Sequence, residues 1–236
     1  MADKIISMDG VYRQKHYPKG FLAAAAKAER GGGIVAFVFG TILTLLGLGL
    51  LGLIIALASG SSMVEIVIVA GLGLFFLLTG IFLLRFGIRS IRRGENGVLQ
   101  KLIKGSGYSE SEVRDFANQA MENGSMQITF GSSGIKGILT RDYFFLQNVM
   151  KIEDIESVYA VSLSSTVNVN GKMKAIWDTY IAVIAKHQIK AVVQAKEDTV
   201  KKVQELLLQK NPGIDTADGR IIPQKEYYEI EKQLRK

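Results

Sequence analysis

Cysteine is absent from this 236-residue chain, proline occurs 3 times and tryptophan once. Without a thiol there is no disulfide framework, no thiolate metal site and no cysteine nucleophile. Charge is missing over two long stretches. From Ile34 to Ala58, 25 consecutive residues carry none, and from Ile66 to Leu84 another 19 carry none before Arg85 ends the run. Apolar runs of about 18 residues or more read as transmembrane helices, which argues against a wholly soluble globular protein. At about 1.5 Å rise per residue the first run is roughly 37 Å long. The second, extended to Val64, is roughly 31 Å, against a hydrocarbon core of about 30 Å. Only Ser59 to Met63 separate them, so the expectation is an antiparallel hairpin: helices over 34–58 and 64–84 and a short external turn over 59–63. Ala56-Leu57-Ala58 before Ser59 imitates a signal-peptide cleavage site. Signal h-regions, however, run about 7 to 15 residues and begin near the N-terminus, so a retained span is expected.

The net charge of +7 is unevenly placed. Residues 1–33 carry +3 and residues 85–104 carry +5, the hairpin holds only Glu65, and residues 105–236 balance 17 basic against 17 acidic side chains. By the positive-inside rule both termini are cytoplasmic and the chain is a multi-pass protein of the cell membrane. A nucleic-acid-binding domain carries its own basic footprint, and the balanced C-terminal part has none, so no nucleic-acid partner is expected. Arg85, Arg89, Arg92 and Arg93 lie at helical spacing, with the second helix reaching about Arg93 and breaking at Gly94. These four are the candidate contacts with anionic lipid headgroups; such flanking cations contribute about 1 kcal/mol each near the surface. In the N-terminal segment, Phe21 to Arg30 reads as a short helix that Gly31-Gly32-Gly33 separates from the first span. Tyr12, Tyr17 and Phe21 are expected at the headgroup level.

Inside the spans, Gly40 and Gly47 are seven apart, as are Gly73, Gly80 and Gly87. Small residues let membrane helices approach closely, and a seven-residue spacing keeps them on one face. Gly40, Gly47, Gly73 and Gly80 are therefore candidate packing positions, although glycine is also simply frequent in membrane helices. Glu65 reads as a solvated helix-start residue, since a helix N-terminus favours a negative side chain.

Beyond the basic segment the chain reads as an α+β unit. Ser109 to Glu122 opens with a capping box, Ser109 and Glu112, and ends at Asn123-Gly124. Short strands follow at 125–130, 135–140, 143–147 and 155–163. Two more, 167–170 and 172–174, flank Asn170-Gly171, a hairpin signal, and strands at 176–185 and 189–195 come after them. An amphipathic helix runs from Glu197 to Lys210, stopped by Asn211-Pro212-Gly213. Trp177 and Asp178 read as core and edge, with part of a binding groove as the alternative, and Glu226 to Leu234 as a short charged helix.

The stretch Gly137-Ile138-Leu139-Thr140-Arg141-Asp142-Tyr143-Phe144-Phe145, followed by Met150-Lys151-Ile152-Glu153-Asp154-Ile155-Glu156-Ser157-Val158, resembles bacterial pleckstrin-homology-like (PH-like) domains. The whole chain looks like uncharacterised bacterial membrane proteins that place such a domain after a two-helix hairpin. The resemblance, over about 125–210, implies a curved antiparallel β-barrel closed by a C-terminal helix, preceded by a basic juxtamembrane segment and connecting helix (85–124) and followed by a tail (211–236). Members of that family recognise lipids, peptides or one another and are not catalysts. Relatives that bind phosphoinositides use a basic first hairpin loop. Here that loop, Gly131 to Gly134, is uncharged, and no ligand residues carry over.

Enzyme motifs are wanting. Gly47-Leu48-Gly49-Leu50-Leu51-Gly52 matches a dinucleotide fingerprint in letters but lies inside an apolar span, with no preceding strand. The two histidines, His16 and His187, are isolated, and Glu153, Asp154 and Glu156 read as a solvated acidic edge. No catalytic, cofactor-binding or metal residues are assigned. The sequence reading is a hairpin-anchored membrane protein whose cytoplasmic barrel binds a protein partner or another copy of itself. The alternatives are an anionic-lipid sensor and an accessory subunit of a membrane complex.

Overall fold

A computed structural model describes residues 3–57, 62–131, 134–169, 172–186 and 189–234. Most of the expected external turn, the tip of the Gly131–Gly134 loop, Asn170-Gly171 and His187 lie outside the described residues. The chain is α+β, with two long apolar helices near its N-terminus and two largely antiparallel sheets. It divides into two units, residues 22–98 and a unit assembled from residues 1–21 together with 99–236.

The first unit is built on α2 (Phe21–Leu57) and α3 (Met63–Arg92). Both are long and apolar enough to cross a membrane. Helix α2 runs unbroken through Gly31-Gly32-Gly33, where the sequence suggested a break. Glycine is a poor helix former, but Gly33 has a reason to lack a side chain: a Cβ there would sit 2.8 Å from the Ser90 Cβ and 3.1 Å from the Gly87 carbonyl oxygen. The same relation repeats along both helices. A Cβ on Gly40 would meet the Leu84 amide nitrogen at 2.7 Å and the Gly80 oxygen at 2.9 Å. One on Gly47 would meet the Leu77 nitrogen at 2.6 Å and the Gly73 oxygen at 2.8 Å. Three glycine pairs, 33 with 87, 40 with 80 and 47 with 73, thus form an antiparallel seam in which backbone touches backbone. Thr44 and Thr41 beside it spend their hydroxyls on their own helix, on the Gly40 and Phe37 carbonyls. Gly49, Gly52 and Gly71 face open space. Ser62 caps α3, donating its N–H to the Glu65 carboxylate at 3.1 Å while its hydroxyl accepts from the Glu65 N–H at 3.4 Å, so Glu65 is part of a capping box. Arg93 ends the helix.

The second unit begins in the N-terminal segment. Strand β1 (Lys4–Ser7) and α1 (Gly10–His16) precede the long helices, and α4 (Glu95–Ser106) and α5 (Glu110–Gln119) follow them. A five-stranded antiparallel sheet orders β1, β2 (Met126–Phe130), β3 (Ile135–Leu139), β4 (Tyr143–Leu146) and β5 (Asn148–Lys151) side by side. The second sheet runs β8 (Ile189–Gln194), β7 (Lys172–Ala185), β6 (Ile155–Val169), β9 (Ile221–Pro223), the last parallel to β6. The expected single closed barrel is therefore two sheets with open edges. Near β5 and β8 they meet through side chains, Gln147 and Asn148 donating to the carbonyls of Val192 and Lys190 at 3.4 Å, and not through a ladder.

Helix α6 (Glu197–Leu208) buries Val200, Val203 and Leu207, and its buried Gln204 donates to the Val158 carbonyl at 2.7 Å. Helix α7 (Gln224–Leu234), in what the sequence left as a tail, covers part of the second sheet. Its Tyr227 and Ile230 pack with Tyr159, Val161, Ala182, Ile184 and Ile222. The N-terminal segment also has a structural part. Tyr17 donates to Gln127 on β2 at 2.7 Å, Phe21 packs edge-on to Phe116 at 5.1 Å, and Tyr12 lies against His16. Asp3 accepts from the N–H of Gly131 and from that of Lys196, which starts α6, both at 2.7 Å. Burial raises the Asp3 pKa, and these bonds with one from Thr199 outweigh it, leaving the carboxyl below its ordinary value. Strands β6 and β7 run as one long ribbon where the sequence suggested two shorter pairs, and Trp177 on it is 62% exposed, not core.

The glycine seam makes a direct prediction. Gly80→Leu forces its side chain into Thr44 and the Gly40 carbonyl, and should cost about 1–3 kcal/mol by overpacking. Gly49→Leu, facing open space, should be neutral. Unfolding of the purified chain in mixed detergent–SDS micelles distinguishes the two.

Candidate functional site

Three features of the described residues bear on function, and each belongs within one unit. The first is the end of α3. Arg85, Arg89 and Arg92 follow one another at intervals of four and three residues, which places them on one helix face. All three are exposed, and among the described residues none makes an ion pair. Arg93 differs: its guanidinium lies 3.7 Å from Glu29 and its carbonyl accepts from Arg30 at 3.4 Å. A groove of about 900 Å³ opens here, lined by Arg85, Ile88, Arg89, Arg92 and Arg93 and by Asn96 and Gly97. Three guanidiniums with no ion pair among the described residues, next to Phe86 and Ile88, which are themselves exposed, can hold anionic oxygens bidentately. The sequence placed all four arginines together, and the structure brings all four to this groove, Arg93 alone being engaged by Glu29 and Arg30.

The second feature is a polar cleft of about 510 Å³ between the β3–β4 turn, the start of β6 and the end of α6. Arg141, Asp142, Tyr143, Lys151, Lys210 and Asn211 line it. Its charges are spent locally. Arg141 pairs with Asp142 at 3.0 Å, Lys151 with Glu112 at 2.8 Å, and Lys210 donates to the Arg141 carbonyl at 3.3 Å. Behind it, buried Gln119 donates to Asp115 and Asp142 and accepts from Thr140 and the Asp142 N–H, all between 2.7 and 3.1 Å. Such a satisfied network rigidifies a turn. The acidic edge is likewise structural in part, because Asp154 accepts from the Tyr108 hydroxyl at 2.9 Å and pairs with Lys186 at 3.3 Å. Among the described residues no group of three or more His, Asp or Glu side chains forms a metal site.

The third feature was not foreseen. The β6–β7 ribbon carries Met173, Ile176 and Trp177 in the open, 70%, 42% and 62% exposed. A signal was present in the sequence, since no acidic residue occurs between Glu156 and Asp178. The sequence reading gave 176–185 as a strand and placed Trp177 in the core.

Glu112 supplies a pH prediction. The Lys151 ammonium, then the Ser109 hydroxyl and N–H, hold its carboxyl at about 2 against an ordinary 4.5. A carboxyl with a lower pKa in the folded state contributes fully above about 4.5, and that contribution is lost as the pH falls toward about 2. Glu112→Gln keeps the capping geometry and loses the charge. Its thermal midpoint should therefore lie below that of the parent at neutral pH, with the gap closing across that acid window.

No family model matches the chain, and neither a curated protein nor a solved structure matches it.

Proposed function

We propose that this chain is a multi-pass membrane protein that holds a PH-like α/β module at the cytoplasmic surface and engages anionic lipid there. The observation that carries the reading is the face formed by Arg85, Arg89 and Arg92, unpaired and contiguous with an apolar helix. Guanidiniums without carboxylate partners are free to take phosphate oxygens, and juxtamembrane cations are attracted to the anionic leaflet.

Membrane insertion is supported by the outward faces of the helix pair. Leu45, Phe75 and Phe82 are among many large apolar side chains left open on α2 and α3, far more than a water-soluble surface tolerates. A hairpin with both flanks on one side is supported by the composition of the α/β unit. Residues from before α2 and from after α3 share one sheet, so both must fold in the same compartment. The excess of Lys and Arg on those flanks favours the cytoplasm as that compartment. Two mostly antiparallel sheets followed by the amphipathic α6 favour the PH-like reading. Recognition of a protein partner is favoured by a different observation: β1 pairs only with β2, leaving an outer edge to which a partner strand can add.

Two tests follow. Because the chain has no cysteine, single-cysteine variants report topology without background. Ser61→Cys should react with an impermeant maleimide from outside intact cells, and Glu229→Cys only after permeabilisation. Labelling of Glu229→Cys from outside sinks the topology. For function, the triple variant Arg85→Gln, Arg89→Gln, Arg92→Gln should lose about 1 kcal/mol of anionic-lipid attraction per side chain. Lipid co-purified in mild detergent would then no longer be enriched in phosphatidylglycerol. Unchanged enrichment refutes the lipid role of this face.

A further inference from the structure

The β6–β7 ribbon is longer than the sheet that holds it. Strand β8 pairs with β7 only from Tyr180 onward, and β9 pairs with β6 only from Ala160 to Ser162. Thr179 still accepts one bond from the Ala195 N–H, and Ser164 donates its N–H to the Gln224 side chain. From Ser165 outward, among the described residues, the two strands pair only with each other. At about 3.3 Å per residue the free part of β6, Ser165 to Val169, reaches roughly 17 Å past its last support. Its surface is unusual for a solvated arm. Opposite-partner register sets Trp177 beside Ser164 and Met173 beside Asn168, on one face, and Ile176 beside Ser165 on the other. Exposed apolar side chains thus occur on both faces. The local charge is of one sign, with Lys172 and Lys174 and no acidic residue from Ser157 to Trp177, within residues 105–236 whose charges sum to zero.

We infer that the outer β6–β7 ribbon dips into the headgroup region of the same bilayer that holds α2 and α3, with Trp177 and Met173 as its apolar anchors and Lys174 toward anionic lipid. Burying one face on a flat protein surface leaves the apolar side chains of the other in water. Immersion of the tip covers both. Trp is favoured at the membrane–water boundary, where an apolar ring and a polar N–H are both accommodated, and lysine extends its ammonium to the headgroups. The free strand edges set the depth. Unpaired backbone N–H and C=O groups are too costly in hydrocarbon but are satisfied among headgroups and water. The positive charge matches the anionic cytoplasmic leaflet, as at Arg85, Arg89 and Arg92. This contact rests on the membrane reading above and adds a second point of attachment, remote in sequence from the first.

The single tryptophan is its own reporter. The full chain is reconstituted into phosphatidylcholine vesicles with or without phosphatidylglycerol, including lipids brominated near the ester end of the acyl chains, and floated on a density gradient. Expected is a chain that floats, with Trp177 emission shifted to shorter wavelength, quenched by the brominated lipid, protected from aqueous iodide, and less quenched in Lys174→Glu and Met173→Ser. A chain that floats while Trp177 is open to iodide and untouched by brominated lipid overturns the inference and leaves the membrane reading standing. A chain that floats with Trp177 shielded from both quenchers also overturns it, in favour of a protein contact at the tip. Failure to float overturns the membrane reading and this inference together.

Discussion

The pairing of β1 with β2 is the constraint on which the rest of the architecture depends. Ile5 and Ile6 hydrogen-bond to a strand that begins at Met126, and Asp3 reaches the backbone of Gly131 and Lys196, 128 and 193 positions away. The two long helices are therefore an insertion within the α/β unit and not a leader in front of it. Closing a flexible loop of about 120 residues costs on the order of 4 kcal/mol in chain entropy. The glycine seam offsets much of that cost. Once Gly33 lies against Gly87 and Gly40 against Gly80, the ends of the insertion are already close, and β1 need only search a small volume. Seam and strand pairing thus reinforce each other although they lie in different units.

How far this was legible in the residues follows from the range of the interactions that decide each element. Local rules were sufficient for the apolar spans, for the capping box at Ser109 and Glu112, for α6 and for the short helix near the C-terminus, because caps, periodicity and stop signals lie within a few residues of one another. They were insufficient for β1. Four residues, Lys4 to Ser7, carry no signal strong enough to announce a strand whose partner is over a hundred positions away. They also misjudged Gly31-Gly32-Gly33, where intrinsic propensity argues for a break and contact with α3 overrides it. The long ribbon was cut short because Ser162 to Thr166 and Asn168 lack the apolar alternation that marks a half-buried strand. That absence follows from an exposed arm having no core to face.

The candidate site divides the same way. Helical spacing alone put Arg85, Arg89 and Arg92 on one face, whereas the engagement of Arg93 by Glu29 and Arg30 needed the turn of chain that brings α2 beside α3. The balanced charge of residues 105–236 is the feature from which no nucleic-acid partner is expected. Its physical basis is local neutralisation, with Lys151 on Glu112, Arg141 on Asp142 and Lys186 on Asp154.

The insertion topology also imposes an order in time. During synthesis β1 leaves the ribosome first, but at roughly 5–20 residues per second its partner strand follows only some 6–24 s later, after both apolar helices have emerged. Throughout that interval a short strand with two isoleucines must wait unpaired, and its brevity and flanking charges, Asp3 and Lys4, suit it to waiting without aggregating. On the membrane reading proposed above, the sheet closes only when both ends of the helix pair have returned to the side where β1 was left. On that reading a chain threaded the wrong way holds its first strand across the bilayer from its second, and its five-stranded sheet stays unfinished.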